Sequence, residues 1–397
     1  MGTPPFPENG PEASPTFDGH PLRLLKHSTP PDVLERHIAK LGNELSSPPN
    51  CEGFTWPPPA GSEFERMLQP EELTKWDYDL FKLNELSNGR PLAAMAQGVI
   101  RSHGLVEKCG IDEQVLGRYL NAVESSYNAC VYHNPMHAAD VLHATNYLLS
   151  GDLAEQMPPD ELLIGLISGP AHDLGHPGVN NGYLIKRSNP VAETYKNVSV
   201  LENHHVGLSL QLMELPGLDV LGCFDKARRE ELRNMMREVV LFTDMTKHKE
   251  LMDMMQAGKD ERQQLDPSRV EDRVLMLQTI LHTADLGNPC KPWVIHIQWT
   301  HAIVAEFFSQ GDLERRQGAE VSPMCDRSEN CGRSSQKNFI KFFVRPLFVL
   351  CGEVGRARPR PRLSVCVCVC VCVQVCSCVC VCVCVVRGRL GRLLGMC

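Results

Sequence analysis

Apolar residues recur at three- and four-residue spacing in six runs between Glu63 and Leu350. The runs are Leu142–Leu149, Leu162–Ile167, Leu208–Met213, Leu232–Phe242, Val274–Leu281 and Ile303–Phe308. That spacing places the apolar side chains on one face of an α-helix. Strict apolar–polar alternation, the mark of a half-buried strand, is rare in the same stretch. Loop signals separate the runs: Asn189-Pro190, Leu215-Pro216-Gly217, Asn288-Pro289 and Pro323. The pattern predicts an all-α fold, a compact multi-helix bundle over residues 63–350. Length alone would suggest two or three domains for 397 residues. The continuous helical periodicity argues for one large body instead, and no internal repeat is evident.

The flanks differ in composition. Residues 1–62 hold 13 of the 29 prolines. Proline removes a backbone donor and disfavours helix in the residue before it. This stretch is expected to be a mostly disordered arm with one short helix near Val33–Leu45. Residues 351–397 form an Arg/Val/Cys tail with nine of the 18 cysteines between Cys366 and Cys384. Three readings compete for the uncharged run Val365–Val386. It is long enough for a membrane span. Its alternating β-branched residues suit an extended strand. A translated TG dinucleotide repeat also gives alternating Cys and Val in any frame, and this reading is favoured because both flanks are arginine-rich.

Charge and cysteine usage bound the function class. The tail carries seven Arg against one Glu, so the net charge of −8 leaves −14 on residues 1–350. An acidic body is no footprint for nucleic acid. Outside the Val/Cys run the cysteines are dispersed without a CxxC pair, as in a reduced cytoplasmic protein. The first residues, Met1–Phe6, show neither a basic nor an apolar leader segment. A cytoplasmic location is expected, with membrane contact only if Val365–Val386 inserts. Oligomeric state is not legible.

Three segments concentrate metal-binding side chains. The first is Tyr132-His133-Asn134-Pro135-Met136-His137, in which His133 and His137 would share a face if both were helical. The second is His172-Asp173-Leu174-Gly175-His176, directly after a buried apolar run. The third is His282-Thr283-Ala284-Asp285, at the end of another. Each alone has a bland reading: a surface histidine pair, a chance His-Asp dipeptide, an aspartate opening a turn. Together His137, His172, Asp173 and Asp285 make a His2Asp2 set. Imidazole suits zinc, whereas carboxylate with water suits magnesium or manganese, and a carboxylate can bridge two cations. Two cations about 3.5–4 Å apart can activate one water against phosphorus. His133 is then free to act as a general acid.

With these segments and several others in the same order, the chain resembles the catalytic domain of the class I 3′,5′-cyclic nucleotide phosphodiesterases, a branch of the HD superfamily. The others include Trp76–Phe81, Leu201-Glu202-Asn203-His204-His205, Leu241–His248, Gln298-Trp299-Thr300, Glu306–Asp312, Pro323–Asp326 and Ser335–Phe339. The resemblance covers about residues 70–350 and is strongest to the cAMP-specific subfamilies. It implies that His137, His172, Asp173 and Asp285 hold Zn2+, and that Asp173 also reaches Mg2+ or Mn2+. It implies that His133 protonates the leaving ribose oxygen and that Glu306 orients His133. His176, Glu202 and Thr243 would lie around the second cation. Gln336 would hydrogen-bond the purine edge, Phe339 and Ile303 would enclose the base, and Asn288 would line the same pocket.

Three positions depart from the family pattern. Gly175 stands where many members carry a second Asp. His296 replaces an aromatic residue of the cAMP-specific subfamily. The pattern stops near Leu350, where further C-terminal helices are expected and the Arg/Val/Cys tail begins instead. The expected function is metal-dependent hydrolysis of a cyclic nucleotide, cAMP before cGMP, to the 5′-monophosphate in signal transduction. Two alternatives are an HD-type phosphohydrolase of another phosphoester and a truncated product that binds nucleotide or a partner without turnover.

Overall fold

The computed structural model describes residues 29–41, 49–262, 265–328 and 332–354, together with the backbone of four short strand segments. The body is all-α, as the periodicity predicts, and the six apolar runs fall in helices save Phe242, the C-cap of Lys226–Leu241. The only strands among the described residues are two short antiparallel pairs outside it, Thr16–Phe17 with His20–Pro21 and Val367–Val371 with Val379–Val383. The latter pair takes the extended alternative for part of the Val/Cys run. Its remaining residues, including both ends of 365–386, lie outside the described residues. No described helix is long and apolar enough to cross a membrane.

The helix Pro159–Ala171 is central, and Glu161 through Ala171 are all buried. Proline at its first position and acids at Asp160 and Glu161 suit a helix start, where an N–H is unpaired and the dipole is positive. Pro135–Leu149, Pro91–Ser102, Lys226–Leu241 and Val270–Asp285 pack around it. Two glycines set how closely. A Cβ on Gly169 would lie 3.1 Å from the Leu142 Cα, and one on Gly165 would lie 2.5 Å from Leu277 Cδ2. Both neighbours belong to helices that carry candidate ligands, so small residues in the middle helix let those side chains approach one another. At the far end, Arg273 grips Glu161, with Nη2 to Oε1 at 2.9 Å and Nε to Oε2 at 2.5 Å. Arg228 adds Nε to Asp160 Oδ2 at 2.7 Å.

Two further features lie at the ends of the body. Within the stretch read as an arm, Pro31–Ala39 is a helix, and Phe54 is buried in the main core. Leu34 and Leu41 belong to a smaller core with Val179, Leu184, Leu201 and Leu313. At the other end, Gly332–Phe339 passes through a π turn at Ile340–Val344 into Arg345–Val354. Leu347 and Leu350 of that last helix are buried in the main core. The last buried core residues thus lie at the point, near Leu350, where the family pattern is expected to stop.

Candidate active site and metal centre

Asn134 caps the Pro135–Leu149 helix, its Oδ1 accepting from the N–H groups of Met136 at 2.9 Å and His137 at 3.2 Å. Proline at the first helical position completes the start signal. This corrects one expectation. His133 precedes the cap and is not on the helix, so His133 and His137 do not share a helical face. The cap sends them to different partners.

His137 turns into the bundle and meets the other three residues of the His2Asp2 set. Its Nε2 is 3.3 Å from Asp173 Oδ2 and 3.2 Å from Asp285 Oδ1. His172 Nε2 is 3.2 Å and 3.6 Å from the same two oxygens. Both histidines are almost fully buried, yet these two Nε2 atoms make no hydrogen bond of proper geometry. The donor atoms of His137, His172 and Asp173 lie close enough together to hold a cation, and Asp285 reaches both histidines. Ligands ~2.0–2.1 Å from a tetrahedral zinc stand about 3.3–3.4 Å apart. The His172 Nδ1 donates to the Gly169 carbonyl at 2.7 Å, which leaves Nε2 as the lone-pair nitrogen. Burial works against charge on Asp285, but His137 and His172 outweigh it and its pKa is lowered.

A second cluster lies beside the first. The Glu306 carboxylate accepts from the N–H of Tyr132 at 2.7 Å, from the N–H of His133 at 3.2 Å and from His133 Nδ1. The His133 ring stacks on His176, with centroids 3.8 Å apart, and lies 5.7 Å from His137. Burial alone would lower the His133 pKa. Glu306, Asp173 and Asp285 together outweigh it and raise it to about 9. His176 Nδ1 accepts from the Gly178 N–H at 3.0 Å, and burial beside His133 holds its pKa well below the usual histidine range. The structure thus brings His133, His176 and Glu306 into one group and the four ligand candidates into another.

Glu202 accepts from Asn181 Nδ2 at 3.0 and 3.3 Å, and burial with Asp244 nearby raises its pKa to about 7. Thr243 is buried with its hydroxyl on the Val240 carbonyl at 2.8 Å. Asn288 donates to the Tyr132 hydroxyl at 2.7 Å, and the Tyr132 ring lies against His137 at 4.4 Å. Ile303 and Phe339 are half-buried against the main core, and Phe339 tilts onto Phe343 at 5.9 Å. Gln336 is half-buried one turn before Phe339. Ile303 stands on the helix Trp293–Arg316 and Gln336 and Phe339 on Gly332–Phe339, rather than in the polar clusters. Gly175 has φ of +74°, and a Cβ there would come 2.9 Å from Leu208 Cδ2. The departure at this position therefore suits the local backbone.

Reasoning from sequence missed His205, Asn181 and Tyr132. His205 donates through Nδ1 to the Leu174 carbonyl at 2.7 Å, with Nε2 3.8 Å from Asp173 Oδ1. Its place three residues after Glu202 was a usable signal. Asn181 offers no local signal at all.

Comparison with known proteins bears on the family and the fold. The family model described as 3′5′-cyclic nucleotide phosphodiesterase matches residues 132–359. The mouse (Mus musculus) 3′,5′-cyclic-AMP phosphodiesterase 4C is 38% identical over 285 residues, covering 70% of this chain and 42% of the relative. The rat (Rattus norvegicus) protein of that name is 37% identical over 285 residues, covering 70% and 53%. The chain thus spans about half the length of these curated relatives. The crystal structure of the phosphodiesterase domain of the RhoPDE fusion protein from the choanoflagellate Salpingoeca rosetta superposes with a TM-score of 0.68 at 29% identity. It covers 74% of this chain and 92% of that one. The fold and the two clusters are those of an all-α domain with a metal-capable His/Asp centre. The chain belongs to the 3′5′-cyclic nucleotide phosphodiesterase family.

Proposed function

We propose that the protein hydrolyses a 3′,5′-cyclic nucleotide to the nucleoside 5′-monophosphate, with cAMP preferred over cGMP. The observation that carries this is the pairing of two clusters: two buried histidine Nε2 atoms, each 3.2–3.6 Å from carboxylate oxygens of Asp173 and Asp285, and a histidine held by a buried carboxylate one ring away. His137, His172, Asp173 and Asp285 would hold Zn2+, and Asp173 would share Mg2+ or Mn2+. Bound cations would supply positive charge to the phosphate and a more acidic water.

The chain's own residues then handle the leaving group. A new O–P bond forms from water as the P–O3′ bond breaks, and O3′ needs a proton. Glu306 takes the Nδ1 side of His133, leaving Nε2–H to donate. A pKa raised to about 9 keeps that proton in place at neutral pH. Glu202, Thr243 and His176 would surround the second cation and its waters. Gln336 would read the base edge, with Phe339, Ile303 and Asn288 around it. The preference for cAMP follows the two relatives named for it. Seven free cysteines among the described residues support a reducing, cytoplasmic setting.

The test is direct. Purified chain with Mg2+ and Zn2+ should convert cAMP to 5′-AMP, read by chromatography, and convert cGMP more slowly. Asp285→Ala should abolish turnover and lower bound zinc. Full activity in that variant would overturn the ligand assignment.

A further inference from the structure

The helix Pro31–Ala39 lies outside the residues matched by the family model, yet it is built into the support of the second cluster. Leu34 is fully buried and closes the smaller core with Val179 and Leu201. Val179 follows the His176-Pro177-Gly178 turn, and Leu201 precedes Glu202. A Cβ on Gly178 would come within 2.8 Å of Leu34 Cδ2, so the helix lies directly on the turn.

Polar contacts repeat the connection at both ends. Lys40 Nζ donates to Asn128 Oδ1 at 3.3 Å. The Asn128 amide donates in turn to the carbonyls of Gly175 at 3.1 Å and His176 at 3.0 Å. At the other end, the Thr29 N–H donates to Ser309 Oγ at 2.9 Å, one turn beyond Glu306. The segment therefore bridges the turn carrying His176 and the helix carrying Glu306. Those two residues flank His133, one by stacking and one by hydrogen bonding.

We propose that residues 29–41 are a positioning element for His133. Through Leu34 and Asn128 they hold the 175–178 turn so that the His176 ring stays stacked on the proton donor. The need is physical. Gly175 and Gly178 both have positive φ, and the turn between them is neither helix nor strand. Such a segment is held by side-chain contacts from outside, here Asn128 and Leu34. A small displacement of a catalytic group is enough to slow a reaction severely. The inference rests on the hydrolase reading given above.

The experiment uses the full chain. Leu34→Asp unseats the helix by placing a carboxylate in a fully buried apolar site. Asn128→Ala removes the two amide donors and leaves the helix face intact. Leu34→Met is the conservative control. Measured together are kcat and KM for cAMP, bound metal, and hydrogen exchange of residues 174–180. The expected result is an about tenfold fall in kcat for Leu34→Asp and Asn128→Ala. KM should stay within about twofold, bound metal should not change, exchange should be faster, and Leu34→Met should behave as wild type. Wild-type kcat and exchange in Asn128→Ala would overturn the proposal, as would a kcat loss that appears only with lost metal. If the unmodified chain turns over no cyclic nucleotide, the hydrolase reading is what fails. Exchange at 174–180 then still decides, and unaltered exchange in both variants overturns the role of residues 29–41.

Discussion

Lys291 and Asp140 form an ion pair that is buried on both sides and joins positions 151 residues apart. Asp140 lies one helical turn after His137, and Lys291 lies six residues after Asp285. The pair therefore links the two segments that bring ligand candidates from opposite sides. Trp76 covers the ammonium at 5.6 Å, and its Nε1 donates to the adjacent Cys290 carbonyl at 2.9 Å.

Removing one partner leaves a buried charge uncompensated, which costs ~3–5 kcal/mol. Lys291→Met is expected to lose stability on that scale in urea unfolding and to weaken zinc retention. The double variant Lys291→Met with Asp140→Leu should lose clearly less. Equal losses in single and double variants would show that packing, rather than the orphaned charge, sets the cost.

Glu306→Gln keeps the shape of the His133 partner and removes its charge. The charged carboxylate is a principal cause of the raised His133 pKa, so that pKa should fall. His133 must be protonated to donate, so the alkaline limb of the kcat–pH profile should move to lower pH. Activity at pH 8 should drop by about 10²-fold, within the range for general acid catalysis. An unmoved alkaline limb would remove Glu306 from its orienting role.

Glu124 gives a separate pH signature outside the two site clusters. Burial, only partly offset by the Leu92 N–H at 2.9 Å and by Arg90, raises its pKa to about 7 from an ordinary 4.5. Between those values the folded chain binds more protons than the unfolded chain, so this group's contribution makes stability fall as pH rises from about 4.5 to about 7. Glu124→Gln should flatten that slope, a change of order 1–3 kcal/mol across the window. Thermal melts of both proteins from pH 5 to 8 would measure it, and parallel curves would contradict it.

Gly175→Asp would install the residue many family members carry. Here the backbone is left-handed, and the new Cβ would meet Leu208 Cδ2. Aspartate tolerates that conformation better than most residues, but the crowding remains. The variant should lose about 1–2 kcal/mol of stability and gain no activity. A higher Tm with a higher kcat would reverse this view of the position.

Much of the fold was legible because helical period is a property of neighbouring residues. The six apolar runs, and the ligand candidates at the ends of two of them, could be read directly. What lay beyond such reading involves residues far apart in the chain. His133 looked like the helical partner of His137, but the Asn134-Pro135 cap separates them and Glu306, 173 residues on, claims His133. The proline-rich stretch before residue 62 looked passive, yet Leu34 is buried against residues 145 and more positions away.

The amino-acid sequence by itself determined the all-α class and which side chains could bind a cation. Only the tertiary structure decided that His137 meets Asp173 and Asp285 while His133 pairs with Glu306, and that the N-terminal helix packs on the turn after His176. The reason is geometric. The histidine–aspartate separations of 3.2–3.6 Å depend on how closely three helices approach. That approach is set by Gly165 and Gly169 against Leu277 and Leu142, contacts that no local pattern encodes.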